Sequence, residues 1–543
     1  MNKIIIALSV ISLLVCGCNS NSESGTNNDK PTYSSGDLTF APSNVRKVLD
    51  KQQKAAFSYF YDGADPVSGV ALEGNNRENY VTIGGGGFGV MALVVGVERG
   101  WITREQGLER IRKILNFLKN AERYKGVWSH WHNPDGSYAP FGDQKACGDL
   151  VETSYMIEGL LVAREYFDGA SAEETAIRKD IDYLYDTVDW AGFTGPNGDG
   201  LYWLWYSKED RYSLKISGWN EGLASYLLAL GAKDEHTISP ELYERGWNVP
   251  VRPDRKTYGY VLPLGNNDTG GPLFFSHYSF LGFDPRHMQD SKAWYWRHNQ
   301  SHTMINRHYC VYEAPKSNGY DTGLWGLTAC YGAGSTPNYS ARNPNGDDGV
   351  MAPTAALSSF PYTPYYSAQV LLALDKIEAC QGDYGFADSY KPAEKVSNKN
   401  HLAIDQGPIV VMIENYRSGL IWKLFMKNES VRKGLSRAGI GEPDFKEGFP
   451  FVAADTRTGV TDLMAHPDRE KYELDFYSSE SGKATFKIVC KETMDETQVH
   501  FMDVKTGLST FSFDDTKITR GKPYLITMTL PSRKTYQIET ILH

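Results

Sequence analysis

The sequence contains few cysteines and no cluster of basic residues. Its 7 cysteines among 543 residues include no CxxC pair and no cysteine–histidine spacing typical of zinc, so we expect no metal site and no clear disulfide framework. A net charge of −10 argues against nucleic acid or an anionic membrane surface as the main partner. The glycine-rich stretch at 84–87 lacks the lysine of a phosphate-binding loop, which disfavours a nucleotide site and indicates close helix packing or a tight substrate approach.

The first 17 residues are typical of a secretory leader, with one lysine, an apolar run and small residues before a cysteine. Residues 15–18, VCGC, resemble a bacterial lipobox with Cys18 as the lipidated first residue of the mature protein. The apolar run is short for a membrane span, and residues 18–42 are Ser-, Asn- and Gly-rich, which predicts a flexible linker. We therefore expect a lipid-anchored protein of the bacterial cell envelope, periplasmic or on the outer-membrane surface, that meets the membrane through its anchor alone.

Two regions with different patterns follow the linker. Between residues 43 and 440, apolar residues recur at helical spacing in about a dozen segments, and loop-entered apolar helices alternate with more amphipathic ones. Such alternation is typical of paired inner and outer helices. Residues 463–543 contain about six segments with strand-like alternation, which predicts a small β-sandwich domain. The expected fold is mainly α, with a domain boundary near 440–465.

One acidic pair opens the most apolar helical stretch, GDLVETSYMIEGLLVAR at 148–164. Asp149 and Glu152 are three residues apart and would share one helix face. Because apolar residues surround most of this helix, the two carboxyl groups would lie where a buried helix meets solvent. The same pair has the form of a capping box with Asp149 as the N-cap, and spacing alone does not separate the two interpretations.

Two further acids, Glu221 and Asp405, also stand just ahead of apolar helical stretches. The dipole of a following helix would lower the pKa of Glu221, whereas a closed cleft lined by rings such as Trp219 would raise it. The alternative interpretations are a first-turn dipole partner for Glu221 and an N-cap for Asp405.

Aromatic residues make up 13% of the chain, and tryptophan-rich loops precede both Asp149 and Glu221. Exposed rings can serve as apolar platforms for the C–H faces of sugars, although core packing explains most aromatic residues in any protein. The ring candidates for substrate contact are Trp128, Trp131, Trp205 and Trp219.

Paired carboxyl groups in a ring-lined cleft suit glycoside hydrolysis, which needs an acid for the leaving oxygen and a base or nucleophile. Two other classes stay open. A polysaccharide lyase would use groups such as His302, Arg307 and Tyr309, but the chain shows no cationic concentration suited to a uronate. A lipid-tethered, aromatic-rich helical protein could also capture glycans without cleaving them.

Six motifs occur in order and make the chain recognisable: VTIGGGGFGVMALVVGVERGWITREQG, GDLVETSYMIEGLL, SGWNEGL, GGPLFFSHYSFLG, GVMAPTAALSSFPYTP and AIDQGPIVVMIENYRSGLIWKLFM. Over residues 45–430 they resemble the bacterial glycoamylase-like family, which includes endo-β-1,2-glucanases of glycoside hydrolase family 144. The resemblance implies an (α/α)6 toroid and an inverting hydrolase that acts on a β-glucan, foremost β-1,2-glucan. It also implies that Asp149, Glu152 and Glu221 lie at the active site.

The resemblance leaves the general base open between Asp149 and Asp405. An α-glucan exo-hydrolase of the glucoamylase type and a non-catalytic glycan-binding lipoprotein remain the alternative functions. We expect an oligo- or polysaccharide substrate, no cofactor and a monomer. The further candidates for substrate contact are His277, Asn306, Arg307, Trp325, Tyr362 and Tyr416.

Overall fold

The computed structural model describes residues 38–76, 79–141, 147–206 and 209–543. The predicted leader, Cys18 and most of the predicted linker lie outside these ranges. Helices predominate as far as Arg437, and strands predominate from Thr461 onward, so the fold is mainly helical with a C-terminal sheet region. Within the described ranges, no helix combines the length and apolarity needed to cross a membrane.

The helical part of the described chain begins at Pro42. Its α-helices are α1 (Pro42–Tyr61), α2 (Ile83–Glu98), α3 (Arg104–Asn120), α4 (Leu150–Tyr166), α5 (Ala172–Asp186), α6 (Leu223–Gly231), α7 (Pro240–Trp247), α8 (Tyr295–His308), α9 (Pro353–Leu357), α10 (Pro364–Asp375), α11 (Ala403–Arg417), α12 (Leu420–Lys427) and α13 (Glu429–Arg437). A π-helical turn, Tyr309–Glu313, extends α8.

Burial differs regularly between successive helices. Helices α2, α4, α6 and α11 are buried on nearly all sides, whereas α3 and α5 bury one face. The amphipathic α3 begins with a capping box, in which Thr103 and Gln106 exchange hydrogen bonds. Among the enclosed helices, α2 packs between α4 and α11, and α6 packs on α4. The enclosed helices therefore form a continuous inner layer with amphipathic helices outside it.

Helices α2 and α4 approach each other through glycine faces. A Cβ atom on Gly87 would collide with the backbone carbonyl of Tyr155, and one on Gly159 would collide with that of Gly87. Only glycine allows this backbone separation, because any larger side chain would push the helices apart. The close-packing interpretation of the glycine-rich stretch is confirmed.

A three-stranded antiparallel sheet lies beside the start of α4. It comprises β1 (Cys147–Asp149), β2 (Tyr202–Tyr206) and β3 (Arg211–Lys215), and its register places Asp149 opposite Leu204. The shorter strand pairs are Val81–Thr82 with Trp131–His132, Arg123–Tyr124 with Val127–Trp128, Lys256–Thr257 with Tyr260–Val261, Ala329–Cys330 with Ser340–Ala341, Gln381–Gly382 with Gly385–Phe386, and Ser389–Lys391 with Val396–Asn398.

The C-terminal strands form two sheets that share one apolar core. The strands are β4 (Thr461–Leu463), β5 (Tyr472–Ser478), β6 (Gly482–Cys490), β7 (Glu496–Val504), β8 (Gly507–Phe513), β9 (Lys522–Thr529) and β10 (Thr535–Leu542). One sheet has the order β4-β10-β9-β6-β7, with β4 parallel to β10, and β5 pairs with β8 in the other. Phe486 of β6 stacks on Phe511 of β8 with ring centroids 4.0 Å apart, so the two sheets pack face to face.

Ion pairs and ring stacking join the C-terminal region to the helices. Arg307 of α8 forms a buried ion pair with Asp455 at 3.1 Å, and Arg417 of α11 pairs with Asp468 at 2.7 Å. The C-terminal His543 stacks on Tyr365 of α10, with ring centroids 3.7 Å apart. These contacts pack the C-terminal region against α8, α10 and α11.

Glu158 on α4 is an isolated acid in the apolar interior. Its side chain is fully buried, and neither carboxyl oxygen has a hydrogen-bond partner among the described residues. Burial alone raises the pKa of Glu158 well above 4.5, because the surroundings do not solvate the charged form. The folded protein therefore retains the Glu158 proton to a higher pH than the unfolded chain does.

Replacement of this acid is expected to remove a pH-dependent penalty on stability. Above pH 4.5 the unfolded chain releases the Glu158 proton that the folded chain retains, so the free energy of unfolding falls as pH rises, by up to about 1.4 kcal/mol per pH unit. Thermal unfolding between pH 5 and 8 should show that the melting temperature of Glu158→Gln increases relative to that of wild type as pH rises. The same change at the exposed Glu235 is the control; equal pH dependence in all three proteins would contradict this account.

Candidate active site

Asp149 lies at the junction of β1 and α4, where both of its carboxylate oxygens are engaged. It is the N-cap of α4, and Oδ1 accepts a hydrogen bond from the Glu152 backbone N–H at 3.0 Å. Its Oδ2 is 2.9 Å from Nδ1 of His130. The capping interpretation of Asp149 is therefore confirmed. The same side chain also contacts His130.

Glu152, one turn into α4, does not complete the predicted capping box. Its Oε2 accepts a hydrogen bond from the Gly84 backbone N–H of α2 at 2.7 Å instead of turning back to Asp149. A Cβ atom on residue 84 would collide with this carboxyl group, so any side chain there would displace Glu152 from its hydrogen bond. Burial raises the pKa of Glu152 to about 7, against the opposing effect of the His130 charge.

Glu221 lies just ahead of α6, whose N-cap is Gly222. Its backbone carbonyl accepts hydrogen bonds from the hydroxyls of Tyr155 at 3.0 Å and Ser279 at 2.6 Å, which fix this corner of the chain. Burial raises the pKa of Glu221 to about 7, and the negative charge of Asp149 contributes to the rise. A hydrogen bond from its own backbone N–H lowers this pKa, so desolvation outweighs the local stabilisation of the charged form.

Asp405 lies in the first turn of α11 and forms a carboxyl pair with Asp388. Its N-cap interpretation is wrong, because Leu402 occupies that position. Both side chains are buried, and Asp388 Oδ2 accepts a hydrogen bond from the Tyr331 backbone N–H at 2.7 Å. Burial raises the pKa of both carboxyl groups, and the charge of Asp388 raises that of Asp405 further. Two adjacent buried carboxyl groups favour sharing one proton.

Two residues show that these acids belong to one site. Burial and then the charges of Asp405 and Glu221 raise the pKa of Tyr278, so its hydroxyl lies within electrostatic range of both acids. Glu73 also interacts with acids of two different helices, because its charge raises the pKa of Glu152 and that of Asp405. The backbone carbonyl of Glu73 also accepts a hydrogen bond from Ala403 N–H at 3.1 Å, which ties its loop to the start of α11.

The four predicted tryptophans occupy different environments. Trp131 contacts the acid cluster through His130, since their ring centroids are 5.3 Å apart. Trp219 packs edge-on against the buried His298 at 4.2 Å. Trp205 lies beneath the Lys125 ammonium and donates from Nε1 to Asp210, whereas the fully buried Trp128 donates to the Leu118 carbonyl. Trp131 thus contacts the histidine of the acid cluster, and all four rings are largely buried.

The remaining predicted contact residues are held by protein groups. Trp325 is fully buried, and Tyr416 packs between Phe360 and His466. Three others make hydrogen bonds in the interior: His277 to the Ser359 hydroxyl, Asn306 to the Leu327 backbone, and Tyr362 to the Ser276 carbonyl. These five side chains support the fold around the site, because their polar atoms or rings are already occupied.

The residues considered for a lyase do not converge on the acid cluster. Arg307 forms the buried ion pair with Asp455 described above, and its guanidinium lies 4.0 Å from the centre of the Tyr366 ring. His302 bonds to the Ser276 hydroxyl and to the Gly271 carbonyl, and Tyr309 donates to Asp347. Each group is committed to a structural partner, so this set does not provide a uronate-binding base and cation.

The structure adds residues that sequence reasoning did not single out: His130, Glu73 and Asp388. His130 could have been found from its position in the loop that leads to Asp149. Glu73 and Asp388 carry no local signal, because each reaches the acids through loops distant in sequence. All three differ from the predicted acids in that none begins an apolar helix.

Known proteins resemble this chain over the region that contains the candidate acids. A family model named Glycoamylase and described as putative glucoamylase matches residues 213–429, a range that contains Glu221 and Asp405. A curated relative, the exo β-1,2-glucooligosaccharide sophorohydrolase (non-reducing end) of Parabacteroides distasonis, is 39% identical over 442 residues. The match covers 76% of this chain, and the chain spans 60% of the length of that relative.

Solved structures match with higher coverage of their own chains. An endo-β-1,2-glucanase from Chitinophaga pinensis, in complex with sophorotriose and glucose, is 43% identical, with a TM-score of 0.69 over 74% of this chain and 99% of its own. A putative glucoamylase from Bacteroides uniformis is also 43% identical, with a TM-score of 0.70 over 74% of this chain and 99% of its own. Because each of these two solved structures is 43% identical to this chain over 99% of its own length, this chain belongs to the glycoamylase-like family.

Proposed function

We propose that this protein is a glycoside hydrolase that cleaves β-1,2-linked glucan by an inverting acid–base mechanism. The observation that carries the proposal is the half-buried Glu221, whose pKa of about 7 suits proton donation at neutral pH and is raised in part by the charge of Asp149. The linkage is supported by two relatives, named a β-1,2-glucooligosaccharide sophorohydrolase and an endo-β-1,2-glucanase.

Glu221 is proposed as the general acid. Cleavage of a glycosidic bond produces a poor leaving group unless its oxygen is protonated as the bond breaks. A carboxylic acid with an ordinary pKa would be ionised at neutral pH and unable to donate, whereas Glu221 still holds its proton in a substantial fraction of molecules. Its backbone, anchored by Tyr155 and Ser279, holds the side chain in a defined direction.

Asp405, paired with Asp388, is proposed as the general base. Both oxygens of Asp149 already accept hydrogen bonds, which leaves it poorly placed to activate water. Neither oxygen of Asp405 accepts a hydrogen bond from an N–H or hydroxyl group of the described chain. A carboxyl pair that shares one proton still carries one negative charge, so it can take a proton from a water on the far side of the sugar.

The helical part is proposed to be an (α/α)6 toroid. The support is the observed sequence of enclosed and amphipathic helices, with α2 packed between α4 and α11 in the inner layer. In such an arrangement the loops at one end of the inner helices surround a single cleft. Asp149, Glu221 and Asp405 each lie at or just before the N-terminal end of an enclosed helix, as that cleft requires.

The location of the protein is proposed from its leader. A lipobox-like VCGC at 15–18 supports lipidation of Cys18 and attachment to the cell envelope, periplasmic or on the outer-membrane surface. A monomer that meets the membrane only through this lipid is the simplest form consistent with that leader.

Product analysis tests the substrate. The protein without residues 1–18 should release short oligosaccharides from β-1,2-glucan and leave starch and laminarin intact, when products are separated by ion chromatography. Glucose from starch would instead identify an α-glucan exo-hydrolase. Binding of glycans with no product from any substrate would identify a surface glycan-binding protein, and either outcome contradicts the proposal.

Glu221→Gln tests the acid. This variant keeps the shape of the side chain but cannot donate a proton, so turnover of β-1,2-glucan should fall by at least about 10²-fold, the usual scale for general-acid assistance. Glu158→Gln is the matched control, since it removes a buried acid with a raised pKa that contacts no other carboxyl group. Near-normal turnover by Glu221→Gln, with folding verified by its melting temperature, would remove Glu221 from the acid role.

A further inference from the structure

His130 stands between the two carboxylates of α4. Its Nδ1 is 2.9 Å from Asp149 Oδ2 and 3.9 Å from Glu152 Oε1. The imidazole keeps 18% of its side-chain surface exposed, whereas Asp149 keeps none and Glu152 keeps 4%. The histidine is therefore the more exposed group, and the two acids beside it are enclosed.

Packing fixes the orientation of this imidazole before any substrate binds. One face of the ring stacks on Phe141, with centroids 4.0 Å apart, and Trp131 approaches edge-on at 5.3 Å. The backbone carbonyl of His130 accepts a hydrogen bond from the Ile83 N–H at 3.2 Å, at the start of α2. The same turn of α2 supplies the Gly84 N–H that binds Glu152. The first turn of α2 therefore holds both the histidine and this acid in place.

The surroundings of His130 favour its charged form. Burial alone would lower the pKa of the imidazole, but the charges of Glu152, Asp149 and Glu73 raise it to about 9. These three acids come from α4, its N-cap and the loop before α2. At neutral pH the ring is therefore an imidazolium, with Asp149 and Glu152 as its acidic neighbours.

Glu152 has one oxygen left for a ligand. Oε2 is taken by the Gly84 N–H, while Oε1 faces the imidazolium at 3.9 Å, beyond hydrogen-bond distance. An ionised carboxylate can accept hydrogen bonds from sugar hydroxyls at this oxygen, but a protonated one accepts less well. The charge on His130 opposes the effect of burial on Glu152 and so favours its ionised form.

We infer that His130 is a positioning residue: as an imidazolium it bridges Asp149 and Glu152, orients both carboxylates and keeps Glu152 available to accept a hydrogen bond from a substrate hydroxyl. This role rests on the proposed glycoside hydrolase function. The Nδ1 atom of His130 faces Asp149, so the role inferred for the ring is orientation of the acids and not proton donation to the glycosidic oxygen.

The pH dependence of the reaction separates this role from a merely structural one. In His130→Gln the Glu152 carboxylate loses its counter-charge and should ionise at higher pH. The acid limb of kcat/KM on β-1,2-glucan should therefore move up by about one pH unit, which corresponds to about tenfold lower kcat/KM at neutral pH. KM should carry most of this loss. His132→Gln, a change at a buried histidine two residues away whose pKa is lowered to about 4, should leave the acid limb in place.

Nuclear magnetic resonance of ¹³C-labelled histidine rings provides a test that needs no activity. The signal absent from His130→Gln belongs to His130, and in the wild-type protein it should titrate near pH 9. A midpoint near 6.5 would overturn the bridging role, as would an unshifted acid limb in an active His130→Gln protein. If wild type cleaves no glucan while His130 titrates near pH 9, the charge bridge stands and the proposed hydrolase function fails, so the two failures are distinguishable.

Discussion

The close contact between α2 and α4 is the constraint on which the candidate active site depends. Gly87 and Gly159 let the two helix backbones touch, and this brings the first turn of α2 against the first turn of α4. The Gly84 N–H then reaches Glu152, and the Ile83 N–H holds the backbone of His130. A single methyl group at these glycines would separate the helices and dismantle the acid–histidine cluster, although no glycine takes part in the chemistry.

Burial, more than local helix electrostatics, sets the protonation of this site. Each acid begins or precedes a helix, where the dipole favours the charged form. Burial nonetheless raises the pKa of Glu152 and Glu221 to about 7. The enclosed inner layer thus gives carboxyl groups that are poised near neutral pH, as general acid–base catalysis requires. The same burial has a consequence for stability. Acids such as Glu158 retain their proton in the interior and lower the free energy of unfolding as pH rises.

Local signals in the sequence predicted local structure well. The cap at Asp149, the capping box of α3, the glycine contact and the C-terminal strands all follow from residues close together in the chain. The sequence could not show where Glu152 turns, because its partner Gly84 is 68 residues away. For the same reason it gave no sign of the pairing of Asp388 with Asp405. The sequence also did not show which rings are enclosed, since Trp128 and Trp325 were candidates for substrate contact but are fully buried.

The most direct test of this account is the alkaline limb of kcat/KM on β-1,2-glucan. If Glu221 must be protonated to act, kcat/KM should begin to fall near pH 7 and then decline about tenfold per pH unit, because the fraction of protonated acid declines in that proportion. A plateau that extends to pH 9 would contradict the account, because it would mean that an acid with a much higher pKa, or no titrating acid, assists departure of the leaving group.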